Sequence, residues 1–148
     1  MIVTPACGMS SRRRRAARQI EGASGEIGVM GFCLGGLMTY LTAARHELDA
    51  AVAYHGGDTE SYLNEAHAIT APFLMHLAEE DEYISKDAQA RIKAALASVP
   101  GSTVHSYPGQ NHAFARHTGV HYDAHAAALA NGRTTAFLAE HLGLDRAS

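Results

Sequence analysis

The chain has 148 residues, 47% of them hydrophobic and 18% charged, with a formal net charge of −3. That is one domain's worth of polypeptide, long enough to bury a real core and too weakly charged for a disordered chain. No run of about 18 apolar residues predicts a membrane span, the two cysteines, Cys7 and Cys33, are too few for a disulfide framework, and the near-neutral balance gives no reason to expect nucleic acid.

The chain opens on MIVTPACGMSSRRRR, and its first twenty residues hold five arginines and no acid. This segment has no amphipathic period and lacks the apolar stretch of a secretory signal. Residues 1–15 are therefore expected to be a disordered basic leader, and 16–148 the folded part. A strand follows at 27–30, then Gly31-Phe32-Cys33-Leu34-Gly35-Gly36 and a helix to about His46. Leu34, Leu37, Met38 and Leu41 fall on one face of that helix at i, i+3, i+4, i+7. A second strand, 50–54, ends at His55-Gly56-Gly57, and a short helix over 59–67 comes next. Pro72 opens a third strand, 73–77, whose unbroken apolar run suits burial on both faces. Ser85 is a good N-cap for a helix to about Ala97, with Ile92, Ala95 and Leu96 inward. A fourth strand spans 103–107. The last helix, about 122–142, is expected to turn Tyr122, Ala126, Leu129, Phe137 and Leu138 inward. Strands alternating with helices predict an α/β fold with a parallel sheet.

The chemistry gathers after the strands. Gly31-x-Cys33-x-Gly35-Gly36, between a strand and a helix, has the context of a nucleophile elbow, in which the nucleophile sits on a strained turn and flanking glycines let strand and helix pass. The helix N-terminus would point at Cys33, favouring its thiolate, and the Leu34 N–H would be placed to hold an oxyanion. The blander reading is a buried cysteine in a glycine-rich turn. Ligands of a parallel sheet collect beyond the carboxyl ends of its strands. Asp81 follows the third strand and His112 the fourth, so nucleophile, acid and histidine come in the α/β-hydrolase order. Imidazole would take the thiol proton, and a carboxylate would fix its tautomer. Glu79, Glu80 and Glu82 remain open as alternatives to Asp81.

With these motifs in place, the sequence resembles the dienelactone hydrolases (carboxymethylenebutenolidases) of the α/β-hydrolase superfamily. The resemblance rests on IGVMGFCLGG, DAAVAYHGG, APFLMHLAEEDEYIS, VHSYPGQNHAF and AAALANGRTTAFL, in that order. It implies a three-layer fold with a mainly parallel sheet. It also implies hydrolysis of a lactone or ester, of the dienelactone-to-maleylacetate type, through a cysteine acyl-enzyme with no metal or organic cofactor. The family triad maps to Cys33, Asp81 and His112, with Leu34 at the oxyanion hole. Arg116 matches an arginine that binds the substrate carboxylate, a partner its planar guanidinium suits. Phe32 and Phe114 flank these residues and are taken as substrate contacts. The family's tyrosine after the second strand is His55 here, which is expected to alter the pocket wall.

The family fold begins with strands that this chain is expected to lack. Those strands carry a second oxyanion donor, a glutamate that tunes the cysteine and another arginine. Weak activity and self-association through an exposed edge of the elbow strand are the corresponding expectations. The partners expected are a small lactone or ester, with no nucleic acid and no membrane, and the expected compartment is the cytoplasm. Three other readings compete. A glutamine amidotransferase-like GxCxG enzyme would need a glutamate two residues from its histidine, and His112 is followed by Ala113-Phe114. His117, His121 and His125 would align as a metal site only on a continuous helix. A non-catalytic truncated hydrolase fragment or interaction module is the third.

Overall fold

Two strands with no polar face set the centre of the molecule. β3 (Ala50–Tyr54) and β4 (Phe73–Ala78) are buried at every residue. Side chains alternate along a strand, so Ala51, Ala53, Phe73, Met75 and Leu77 join one core while Ala50, Val52, Tyr54, Leu74 and Ala78 join the other. The computed structural model describes residues 2–3 and 11–143. In it β2 (Gly28–Phe32) flanks β3, β5 (Ser102–Tyr107) flanks β4, and a two-residue strand, β1 (Ile2–Val3), lies beside β2. All four pairings are parallel and the strand order is sequential. On one face pack α2 (Leu34–Arg45), the 3-10 helix Thr59–Ala68 and α3 (Lys86–Ala97), through Leu37, Tyr40, Ala66, Ile92 and Leu96. α4 (Ala124–His141) covers the other face. The three-layer α/β architecture is the one expected.

Local chemistry accounts for the boundaries. The Ser85 hydroxyl accepts from the Ala88 N–H at 3.1 Å, starting α3 one residue on. Asp123 does the same for α4, accepting from Ala126 at 2.8 Å, so this helix begins two residues after the expected Tyr122. Its inward face also differs. Ala126, Ala127, Ala130, Thr134 and Leu138 are buried, whereas Tyr122 and Leu129 are exposed. The seam is built for close approach and for a hydrogen-bonding threonine, which a search for bulky apolar residues overlooks. Leu34 likewise departs from its expected inward place and is 71% exposed. As the first residue of α2 it stands at the mouth of the turn after β2, not over the sheet.

Of residues 1–15, expected to be a disordered leader, residues 1 and 4–10 lie outside the described residues. α1 (Ser11–Arg18) runs across the boundary placed at residue 15. Arg18 anchors its end, donating to the Gly25 carbonyl and pairing with Asp49 at 2.9 Å. Asp49 in turn accepts from the Ile27 N–H at 2.7 Å, ahead of β2. Nor is β2 a bare edge throughout, since β1 pairs with Gly28 and Val29.

Candidate active site

The turn between β2 and α2 is strained at one residue. Cys33 has φ 55° and ψ −121°, the left-handed side of backbone space that non-glycine residues rarely adopt. Its N–H donates to the Tyr54 carbonyl at 3.1 Å, and its own carbonyl accepts from Gly36 at 2.9 Å and Leu37 at 3.3 Å. The turn closes only because of glycine. A Cβ on Gly31 would stand 2.1 Å from the Gly35 carbonyl oxygen, and one on Gly36 would stand 2.5 Å from the Tyr54 carbonyl oxygen. A Cβ on Gly35 would meet nothing within 4 Å. The glycines that must lack side chains are thus Gly31 and Gly36, while Gly35 contributes its closely approached backbone.

Asp81 and His112 come to the same end of the sheet on two loops. The loops are joined by the Glu80 N–H donating to the Gln110 carbonyl at 2.9 Å. The Asp81 side chain is fully buried, and its Oδ1 accepts from the N–H groups of Tyr83 at 2.9 Å and Ile84 at 3.2 Å. His112 Nδ1 lies 2.9 Å from Asp81 Oδ2, and His112 Nε2 lies 3.1 Å from Cys33 Sγ. Of the neighbouring acids left open by the sequence, Glu80 pairs with Lys86 at 2.8 Å and Glu82 reaches His121 at 3.7 Å. The carboxylate on His112 is Asp81.

A cavity of about 280 Å³ opens over this chain of contacts, lined by Cys33, Leu34, Gly57, Tyr83 and His112. The Tyr83 ring meets the His112 ring edge-on at 4.8 Å. Burial pushes the Cys33 thiol pKa up, Asp81 adds to the rise, and Arg116 opposes it. Burial and the Asp81 carboxylate thus oppose the thiolate that the helix N-terminus favours.

The other expected contacts are less uniform. Leu34 lines the cavity, but Phe32, Phe114 and Arg116 do not. Phe32 stacks on Tyr54 at 4.4 Å. Phe114 is fully buried and packs against Tyr107 at 4.8 Å and His55 at 6.1 Å, so it supports the site from beneath instead of touching a substrate. Arg116 is exposed, near enough for its charge to act on Cys33. The helical row of His117, His121 and His125 does not form, because α4 starts only at Ala124. His117 instead packs on Tyr122 at 5.2 Å.

His55, expected to alter the pocket wall, stands beside Cys33 itself. Its Nδ1 lies 3.6 Å from Cys33 Sγ and its ring centroid 4.6 Å from that of His112. Burial, then the neighbouring His112, lowers its pKa to about 4, so the ring is neutral at pH 7. The signal was there in the turn after β3, where His55 takes φ 35° before two glycines. Cys33, His55 and His112 also form a group of possible metal-ligating atoms, all within 4.8 Å of one another.

The dienelactone hydrolase family model matches residues 8–142. The chain belongs to the dienelactone hydrolase family. It is 36% identical over 125 residues to a carboxymethylenebutenolidase of Pseudomonas putida, covering 84% of this chain and 53% of that one. An Azospirillum brasilense protein with a provisional carboxymethylenebutenolidase name is 46% identical over 110 residues, covering 74% of this chain and 48% of its own. A Klebsiella pneumoniae structure, provisionally named a dienelactone hydrolase, superposes with TM-score 0.69 at 28% identity, covering 76% of this chain and 51% of that one. The chain spans about half the length of the curated relatives it matches.

Proposed function

We propose that this dienelactone hydrolase family chain cleaves a lactone or ester through an acyl-enzyme on Cys33, with His112 as acid–base and Asp81 as its orienting carboxylate. The observation that carries this reading is the continuous contact from Asp81 through both ring nitrogens of His112 to Cys33 Sγ, 2.9 Å and 3.1 Å long. Asp81 accepts the hydrogen bond from His112 Nδ1–H, which leaves the Nε2 lone pair facing the thiol. As Sγ attacks the carbonyl carbon, the thiol proton passes to Nε2. The carbonyl oxygen becomes an oxyanion within reach of the first turn of α2, where the Leu34 N–H has no intrahelical acceptor. Collapse breaks the acyl C–O bond, and the leaving oxygen takes the proton from His112. Water then attacks the thioester with His112 again as base, releasing the acid and restoring the thiol. The raised thiol pKa fits a nucleophile that rests protonated and is activated only in the encounter.

The substrate class this reading favours is a small anionic lactone of the dienelactone type, by analogy with the carboxymethylenebutenolidases it is similar to. Exposed Arg116, whose charge already reaches Cys33, is the group we assign to the substrate carboxylate. The test is hydrolysis of dienelactone and of p-nitrophenyl acetate by the wild-type chain, Cys33→Ala and His112→Ala. Loss of turnover in both variants is expected. Equal turnover in all three would refute the triad, and none in any would favour a non-catalytic module.

A further inference from the structure

We infer that Cys33, His55 and His112 form a reversible binding site for a thiophilic divalent cation such as zinc. Their ligand atoms, Cys33 Sγ, His55 Nδ1 and a ring nitrogen of His112, lie within 4.8 Å of one another. Zinc sits about 2.3 Å from thiolate sulfur and about 2.0–2.1 Å from imidazole nitrogen, so at tetrahedral angles its sulfur and nitrogen ligands stand roughly 3.5 Å apart. The two sulfur–nitrogen separations here are 3.1 Å to His112 Nε2 and 3.6 Å to His55 Nδ1. The longer one is weak as a hydrogen bond but suits two ligands of one ion.

The surroundings prepare the His112 imidazole for this role. Asp81 accepts from His112 Nδ1, which fixes the lone pair on Nε2 and gives the carboxylate–histidine arrangement that supports metal ligands. His55 is 1% exposed, and its Nε2 has no partner among the described residues. The ring nitrogen that faces Cys33 is Nδ1. The fourth coordination position would face the cavity of about 280 Å³, where water can enter. On binding, the Cys33 thiol proton leaves to solvent, a sulfur–metal bond forms, and both imidazoles bind neutral. No electron transfer is involved. If Cys33 is also the nucleophile, as proposed above, the ion blocks hydrolysis. The binding itself does not depend on that reading.

The probe is Co²⁺ alone, titrated into the full, chelator-treated chain. The expected result is one equivalent bound, with a near-ultraviolet thiolate-to-cobalt band, the visible absorption of a four-coordinate ion, and displacement by Zn²⁺. His55→Phe keeps an aromatic ring but removes a ligand. It should weaken binding by more than about tenfold, at least the scale on which even outer-shell partners act. Nitrogen-15 spectra of the wild type, which need no variant to fold, should show His55 Nδ1 shifting on Zn²⁺ addition. The proposal is overturned if no thiolate band appears, if His55→Phe binds equally well, or if the His55 nitrogen does not move. Ester hydrolysis by the metal-free chain is scored separately, so failure of this site leaves the proposed function standing.

Discussion

At the scale of single residues, Cys33, Asp81 and His112 are brought together from three loops, and the proposed function gives each a separable role. Asp81 holds His112 through two carboxylate oxygens at 2.9 and 3.0 Å. Asp81→Asn preserves shape but can donate to Nδ1, reversing the tautomer. A loss of about 10⁴-fold in kcat is expected, as for the equivalent change in a serine triad. Steady-state kinetics beside an unchanged circular dichroism spectrum would check it, and a loss under tenfold would contradict the assigned role. Arg116 is exposed and its charge reaches Cys33, so Arg116→Ala should raise KM for an anionic lactone and leave KM for p-nitrophenyl acetate unchanged. Equal effects on both substrates would remove Arg116 from substrate recognition. The meeting of Cys33, Asp81 and His112 at one end of the sheet was legible because each follows a strand in chain order. His55 was legible only as a change in the pocket wall, because its approach to Cys33 depends on how the turn after β3 folds back beside the elbow. Phe114 was misread for the same kind of reason, since proximity in sequence to His112 does not say which way a ring points.

At the scale of elements, the elbow is the most sequence-determined piece of the molecule. Gly31→Ala would push a methyl carbon to 2.1 Å from a backbone oxygen. Backbone cannot rotate away as a side chain can, so a cost of about 3 kcal/mol or more is expected. Gly35→Ala meets nothing within 4 Å and should change stability by no more than about 1 kcal/mol. Chemical denaturation of the two variants distinguishes them, and equal destabilisation would contradict the packing described for the turn. β3, β4 and α3 were readable from apolar runs and a serine cap. The inward face of α4 was not, because its buried positions are mostly alanine with one threonine, and those residues carry little hydropathy signal. α1 was missed because four consecutive arginines conceal the ties that Ala17 and Arg18 make to the folded body.

At the scale of the whole molecule, a buried polar cluster joins the sheet to α4. His76 in β4 makes hydrogen bonds through both ring nitrogens, to the Tyr107 hydroxyl at 2.8 Å and to the Thr134 hydroxyl at 2.9 Å. Thr134 also bonds the Tyr54 hydroxyl at 2.7 Å. Burial, with His105 and Arg133 nearby, lowers the His76 pKa from 6.5 to about 3. A depressed folded-state pKa means that the unfolded chain takes up the proton first as pH falls. The neutral ring's contribution to stability is therefore complete above about pH 6.5 and is lost progressively toward pH 3. The slope is up to about 1.4 kcal/mol per pH unit for this one group. Thermal unfolding between pH 7 and pH 4 should show the decline, shallower in His76→Gln, and a pH-independent Tm would contradict the role of the cluster. Among the described residues, no helix is long and apolar enough to cross a membrane.

The most direct test of the central claim is mass spectrometry of the chain quenched in acid during turnover of p-nitrophenyl acetate. The account predicts one acetyl group on the peptide containing Cys33, none on the peptide containing Cys7, and little or no label on Cys33 in His112→Ala, where the base that takes the thiol proton is missing. Release of p-nitrophenol with no acetyl group on Cys33, or with the label on another residue, would contradict it.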